Sequence, residues 1–562
     1  MGRRRRARQG CVQADCCAKR RFARNQAGLS RAPELKQDRP TIPSKPSMDS
    51  PEPRSSALSW SPIERIFLCF GGLALVWQGM VLLGASFVWG QWLVVATLAA
   101  VATFGVRSVL RGEVRPLTPR FLLLLLLGLV CLAFHFFVHR YHNDDGVHLR
   151  RSIEMMMAPR RPIQELAADS SLVANHYHRF FHVYGLVRAA FAQMTGIPLS
   201  ISWYALFPSL VLLSIPFVFD RFVQVFFRLR GGKALAVTAG AVLLLIFWSY
   251  RDSTSGSPGY WGIQSIFHGN QAYAVIGPPL FLLALYRSAS ACRWENTLGV
   301  VLLCALGASL SVGTSVSNLV ALFVFYCAVR CGGSRSFWRP QVAEILPVLY
   351  LVAFGLVVAS VSGKHDLGSF FPDPGIQWSS VLPFGVLGLQ RDFSEFVLVW
   401  TNPQVYRFTY GVRFPSVMAL GAFLWLAIWL KNQPFRHYTI GFWILLLFPF
   451  TGYLIAFAAD HYEYNYRWIV WSYPIYAVVA WAIFSFGSLL RRRSLFLFWI
   501  FTIGVVLGFG PYDRFYFGQW SEIRFSAIKG YPGIDFRGWE TDGRGFHPRW
   551  EGYWIEYGGE RW

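Results

Sequence analysis

The chain has 562 residues, of which 54% are hydrophobic, 17% aromatic and only 15% charged; an ordinary soluble domain carries about 25% charged residues, which excludes a soluble enzyme. Windows of 17 or more apolar residues recur from Ile63 to Pro511, each long enough to cross a hydrocarbon core of roughly 30 Å at 1.5 Å per residue. The net charge of +23 reports orientation rather than a nucleic-acid partner, because of where along the chain it lies.

Residues 1–62 come first. They are rich in Arg, Pro, Ser and Gln, carry a net +9, and have no apolar periodicity with which to offset chain entropy. They read as a disordered basic cytoplasmic tail, whose Arg3–Arg6 run suits anionic headgroups; the alternative is translation from Met48. The bundle follows over 63–511, with spans expected at 63–83, 87–106, 121–138, 203–227, 234–250, 270–286, 296–313, 315–329, 341–362, 414–430, 438–458, 468–489 and 495–511. That is an all-α polytopic membrane protein with about 13 transmembrane helices. The tail and alternate connections together hold +24, whereas 139–200, 251–269, 363–413, 459–467 and 512–562 hold 20 basic and 20 acidic residues. This is the positive-inside pattern, and it places the N-terminus in the cytoplasm and the C-terminus outside. All nine cysteines fall in the tail, the spans or the basic connections, so the outer face needs no disulfide framework.

Ten of the twelve histidines lie in the outer segments, which directs attention to that face. The loop 139–200 after the third span opens with His139-Arg-Tyr-His142-Asn-Asp144-Asp145-Gly-Val-His148 and is expected to be partly helical. Its stretch Arg179–Thr195 sets Phe180, Val183, Leu186, Val187 and Phe191 on one face of a helix, as in a cap lying in the interface plane. Adjacent carboxylates at Asp144 and Asp145 suit a divalent cation, or one acts as general base while the other orients it. The bland alternative is a helix N-cap with a solvated first-turn acid. His135, His139 and His142 share one helical face at the end of the third span, and His178 and His182 form an i, i+4 pair; both sets also fit snorkelling or surface roles.

Three further outer stretches stand out. Ser265–Gln271 contains His268 and Asn270 and leads into the sixth span. Ser309–Asn318 is a polar hairpin whose small residues suit tight helix packing. Asp460–Trp468 crowds Asp460, His461, Glu463 and Arg467 among tyrosines, and the Arg467 fork at the boundary suits a phosphate as well as it suits an aromatic-belt anchor. Residues 512–562 form an aromatic, Gly-rich extracytoplasmic tail. Nucleotide-binding, serine-hydrolase and zinc-protease signatures are absent from the sequence.

An acidic pair at the start of the first large outer loop of a multi-span chain resembles the GT-C-type membrane glycosyltransferases. The segments His142–Leu149, Phe267–Ala274 and Tyr466-Arg467-Trp468 resemble a bacterial branch of that class. The resemblance implies transfer of a sugar from a polyprenyl-phosphate-linked donor to an extracytoplasmic glycan, lipid or protein acceptor, in the inner or plasma membrane. It implies Asp144 and Asp145 as catalytic or metal-ligating residues, and His142, His148, His268, Asn270, Glu463 and Arg467 as substrate-binding ones. Asn270 stands where a basic residue would suit a donor phosphate. No cofactor is required by the pattern, although the dyad admits Mg or Mn. The alternatives are a lipid or solute transporter or flippase, and a non-catalytic scaffold in envelope assembly; a transporter would want ionisable residues at mid-membrane and repeated halves, whereas mid-span charges are nearly absent, Asp220-Arg221 and Glu344 lying near the cytoplasmic ends, and no internal repeat is visible.

Overall fold

The computed structural model describes residues 59–113, 118–138, 151–169, 180–251, 263, 266, 268–331, 342–361, 422, 425–447, 472–489, 556–557 and 560–561, apart from 153, 198 and 292. Within these the chain is helical, save for a two-residue antiparallel ladder pairing Glu556–Tyr557 with Glu560–Arg561. We number the helices α1 (Pro62–Leu82), α2 (Phe87–Leu110), α3 (Pro119–Val138), α4 (Ile163–Asp169), α5 (Val183–Thr195), α6 (Phe207–Phe226), α7 (Gly231–Arg251), α8 (Gly269–Ser290), α9 (Trp294–Leu310), α10 (Val312–Cys331), α11 (Val342–Val361), α12 (Gln433–Leu447) and α13 (Ile475–Leu489).

Five helical stretches are long and apolar enough to cross a membrane: Pro62–Leu82, Phe87–Leu110, Ser202–Phe226, Gly269–Ser290 and Gly313–Arg330. Five shorter apolar helices lie at Pro119–His135, Gly231–Ile246, Trp294–Leu310, Glu344–Val358 and Ile475–Ser488. This is the build of an integral membrane protein, and these helices fall on expected spans. The spans expected at 414–430 and 438–458 are described only in part, and that at 495–511 lies outside the described residues, as do the tail 1–58 and most of 512–562.

Local sequence explains how the helices begin and approach one another. Ser61 precedes Pro62 at the start of α1, and the Glu64 carboxylate accepts from the Ser61 backbone N–H at 2.7 Å and its hydroxyl at 2.6 Å, a reciprocal cap that fixes the first turn. Pro216 in α6 and the pair Pro278-Pro279 in α8 sit inside helices, which membrane helices tolerate because neighbouring groups satisfy the freed carbonyls. α1 lies against α9 so closely that a Cβ on Gly71 would fall 2.4 Å from the Leu302 carbonyl oxygen. Small residues permit such contact where lipid supplies no hydrophobic drive between helices.

α8 is the central helix, with 83% of its apolar window buried, whereas only 11% of the α2 window is covered by protein. α8 packs on α6, α9 and α10; α3 packs on α6 and α7, α13 on α7, and α12 on α10. The larger core joins these helices, and a second is built from α1, α2 and α5 with Met155, Met156 and Ile163. The segment between α3 and α5 is a structured cap where it is described. Val88 N–H donates to the Pro159 carbonyl at 3.0 Å, Ile163 N–H to Ala85 at 3.1 Å, and the Gln164 amide to Leu82 at 2.9 Å. Together they pin residues 159–164 over the α1–α2 turn.

Most of the described ion pairs collect at the opposite ends of the helices from this cap, while Arg151–Glu154 and Arg161–Glu165 lie within it. Arg287 meets the Glu64 carboxylate at 2.7 Å, Arg120 meets Asp220 at 2.7 Å, and Arg65 meets Glu113 at 3.1 Å. Arg330 pairs with Glu344 at the same end. We call this the Glu64 end and the other the α5 end.

Candidate functional site

The α5 end holds a polar recess. The amphipathic helix expected over Arg179–Thr195 starts later, at Val183, because Phe180 and Phe181 form a separate turn and His182 caps the helix. Phe180, Val183, Leu186 and Val187 are buried as the apolar face requires, and α5 packs against α2, α1 and α9. The Trp77 indole donates to the Phe180 carbonyl at 2.9 Å and anchors the turn.

Arg188, on the flank of that face, is fully buried. Its guanidinium carbon lies 3.5 Å from the Tyr184 ring centroid and 4.3 Å from that of Trp203, so the charge is held between two aromatic faces whose quadrupoles favour it. Burial pushes the Tyr184 phenol above its ordinary value, and the neighbouring Arg188 charge opposes that rise. The phenol therefore stays neutral around pH 7, and it donates to the Ile266 carbonyl at 3.3 Å.

Trp203 belongs to a π-helical segment, Ser202–Leu206, that runs straight into α6. Such widened turns interrupt the usual hydrogen-bond ladder and recur at functional sites. Here the segment carries Trp203 against Arg188, while the Ser202 hydroxyl donates to the Arg188 carbonyl at 3.0 Å. His135, buried at the end of α3, places Nδ1 2.9 Å from the Ile263 carbonyl and Nε2 3.2 Å from that of Tyr204. It thus ties α3 to the π segment and to the stretch leading to His268. The expected alignment of His135 with His139 and His142 lies beyond description, since the latter two are outside the described residues.

Arg151, Ser152, Met155, His182, Tyr184, Gly185, Trp203, His268, Gly269 and Leu310 line the recess. Arg151 pairs with Glu154 at 2.8 Å; none of the described lining residues is a carboxylate. The recess adjoins an apolar groove of about 290 Å³ bounded by α1, α2, α5, α6, α8 and α9, with Phe67, Leu98, Val187, Leu210, Ile276 and Leu303 among its walls. Tyr184 and Leu310 line both. From Gly269 at the recess to Leu280 in the groove, α8 descends about 16 Å at 1.5 Å per residue. The arrangement sets a small polar recess beside a larger apolar groove.

Of the residues expected to form the site, His268 lines the recess as the N-cap of α8. Asn270, two residues further on, accepts from the Gln271 backbone N–H at 2.9 Å with its side-chain oxygen. His142, Asp144, Asp145, His148, Glu463 and Arg467 lie outside the described residues, as does His178. The cation expected at the dyad therefore has no described ligands; among the described residues no group of three His, Cys, Asp or Glu side chains could hold a metal. Arg151, Ser152, Arg188 and Trp203 were not expected from the sequence. The available signal was an arginine four residues after a tyrosine beside an apolar stripe.

The expected polar hairpin Ser309–Asn318 is mostly helix. α9 ends at Leu310 and α10 begins at Val312, because the hydroxyls turn back onto the chain: Ser309 donates to Leu306 at 2.7 Å, Thr314 to Ser311 at 2.6 Å and Ser317 to Gly313 at 3.1 Å. The Tyr273 hydroxyl closes the contact on the Asn318 amide oxygen.

The chain matches no protein-family model, no curated protein and no solved structure.

Proposed function

We propose that this protein is a membrane glycosyltransferase that transfers a sugar from a polyprenyl-phosphate-linked donor to an extracytoplasmic glycan, lipid or protein acceptor. The observation that supports the reading is an apolar groove and a small polar recess that share Tyr184 and Leu310 as walls. A lipid-linked sugar has the same two-part chemistry, a long hydrocarbon tail and an anionic head. The acidic dyad, Asp144-Asp145, precedes Arg151 of the recess by only a few residues in the chain, which suits a base or cation site beside the donor head. Arg467 remains a second proposed partner for the donor phosphate. A transporter fits less well, since the described ion pairs lie at the helix ends and in the cap rather than at mid-span.

The reading is tested on the dyad. Asp144→Asn and Asp145→Asn keep shape and remove charge, and loss of general-base work costs roughly 10²- to 10⁴-fold in turnover. At least one variant should show that loss at unchanged membrane abundance. Near-normal sugar transfer in both would reduce the aspartates to a helix cap.

A further inference from the structure

One imidazole at the α5 end faces two acceptors. His135, fully buried near the end of α3, points Nδ1 at the Ile263 carbonyl, 2.9 Å away, and Nε2 at the Tyr204 carbonyl, 3.2 Å away. A carbonyl oxygen can only accept, and a neutral imidazole carries one N–H and one bare nitrogen. The neutral ring therefore satisfies one of these carbonyls and turns a lone pair on the other. The imidazolium, with two N–H groups, satisfies both.

Each carbonyl is short of a donor. Tyr204 lies in the π segment, and the residue that would serve its carbonyl in an α-helix, four further along, is Pro208, which has no N–H. Ile263 belongs to the stretch before α8, where the Ile266 N–H comes only within 3.4 Å of its carbonyl. The proton on His135 thus bears on two sides of the recess at once. Trp203, adjacent to Tyr204, lies against Arg188 and lines the recess, and the stretch from Ile263 runs on to His268, which lines it too.

The surroundings of the ring set its charge balance. Arg188 of α5 acts on it electrostatically, and the Tyr184 phenol stacked on that guanidinium stays neutral. The π segment and the stretch before α8 present the two carbonyls, and the described α7 side chains at this end, Ala241–Ile246, are apolar. Two positive groups side by side are tolerated while both carbonyls accept from the ring.

We propose that His135 is a proton-operated latch on the recess: with both ring nitrogens protonated it ties α3 to the π segment and to the stretch before α8, and loss of one proton releases one tie. The sign follows from the bonds. The tied arrangement gives the imidazolium two acceptors and the released one does not, so the tied arrangement binds the proton more tightly; it is favoured at low pH and loosens as pH rises through the titration of the ring. The latch acts on the walls of the recess and stands whether or not sugar is transferred there.

The test uses the full-length protein in lipid nanodiscs, without donor or acceptor. His135 precedes Phe136 in the only His-Phe step of the chain, so paired isotope labels identify its ring by NMR without a variant. Between about pH 4 and 8 the ring should pass from two protonated nitrogens to one. Fluorinated tryptophan, with the Trp203 signal assigned from Trp203→Phe, reports on the wall. The ratio of held to released Trp203 should fall about tenfold or more over the same range and with the same midpoint, as expected for one hydrogen bond to a charged group. The amide in His135→Gln does not titrate, so that variant should leave the Trp203 signal independent of pH.

A ring that holds the same number of protons throughout the range would overturn the proposal. So would a Trp203 signal that stays in place while the ring titrates, or one that titrates equally in His135→Gln. If the Gln variant fails to fold, the shared midpoint in the wild-type protein decides alone.

Discussion

Arg287 and Glu64 meet at 2.7 Å with 1% and 2% of their side chains exposed, and Trp60 covers the guanidinium with its ring centroid 4.5 Å away. Desolvation makes such a pair a weak net stabiliser, yet removing one member strands a buried charge. Glu64→Gln should therefore destabilise the protein by about 3–5 kcal/mol, read as a lower unfolding temperature in detergent. The double variant Glu64→Met with Arg287→Met should lie closer to wild type than either single change. At this scale the site was only partly legible in the sequence. His268 stood out because a histidine opening an apolar span is unusual. Arg188 did not, because at 100° per residue it falls on the flank of the α5 apolar stripe, where periodicity leaves the environment open. What buries it is Trp203, delivered by a π segment that no sequence pattern announces.

Whole elements were more readable, since span-length apolarity and helical period are strong local signals. α5 was expected over Arg179–Thr195 and begins at Val183 because the Phe180-Phe181 turn docks separately under Trp77. The turn between α9 and α10 shrinks to Ser311 once hydroxyls cap the neighbouring carbonyls. Pairing between helices was not readable, for it depends on shape at particular residues. Gly71 and Gly72 show this well. A Cβ at Gly71 would collide with Leu302 backbone, whereas one at Gly72 would have nothing within 4 Å. Gly71→Val should cost about 1–3 kcal/mol or more through the overpacked α1–α9 contact. Gly72→Val should be close to neutral in the same thermal-unfolding measurement.

For the whole molecule, the two ends of the bundle differ in chemistry. Most of the described ion pairs occupy the Glu64 end, and the recess with the aromatic-stacked Arg188 beside it occupies the α5 end. The charge division in the sequence predicts a cytoplasmic Glu64 end. Reporters fused after Arg493, after Asp145 and at Trp562 should then read cytoplasm, outside and outside. A cytoplasmic signal at Asp145 would put the recess on the wrong face for an extracytoplasmic acceptor. The central claim, sugar transfer from a lipid-linked donor, is met most directly by mass spectrometry of lipid-linked sugars and envelope glycans from cells with and without the gene. The account predicts an accumulating polyprenyl-phosphate-linked sugar and a glycan lacking that sugar when the gene is removed; identical lipid-linked pools and identical glycans in the two strains would contradict it.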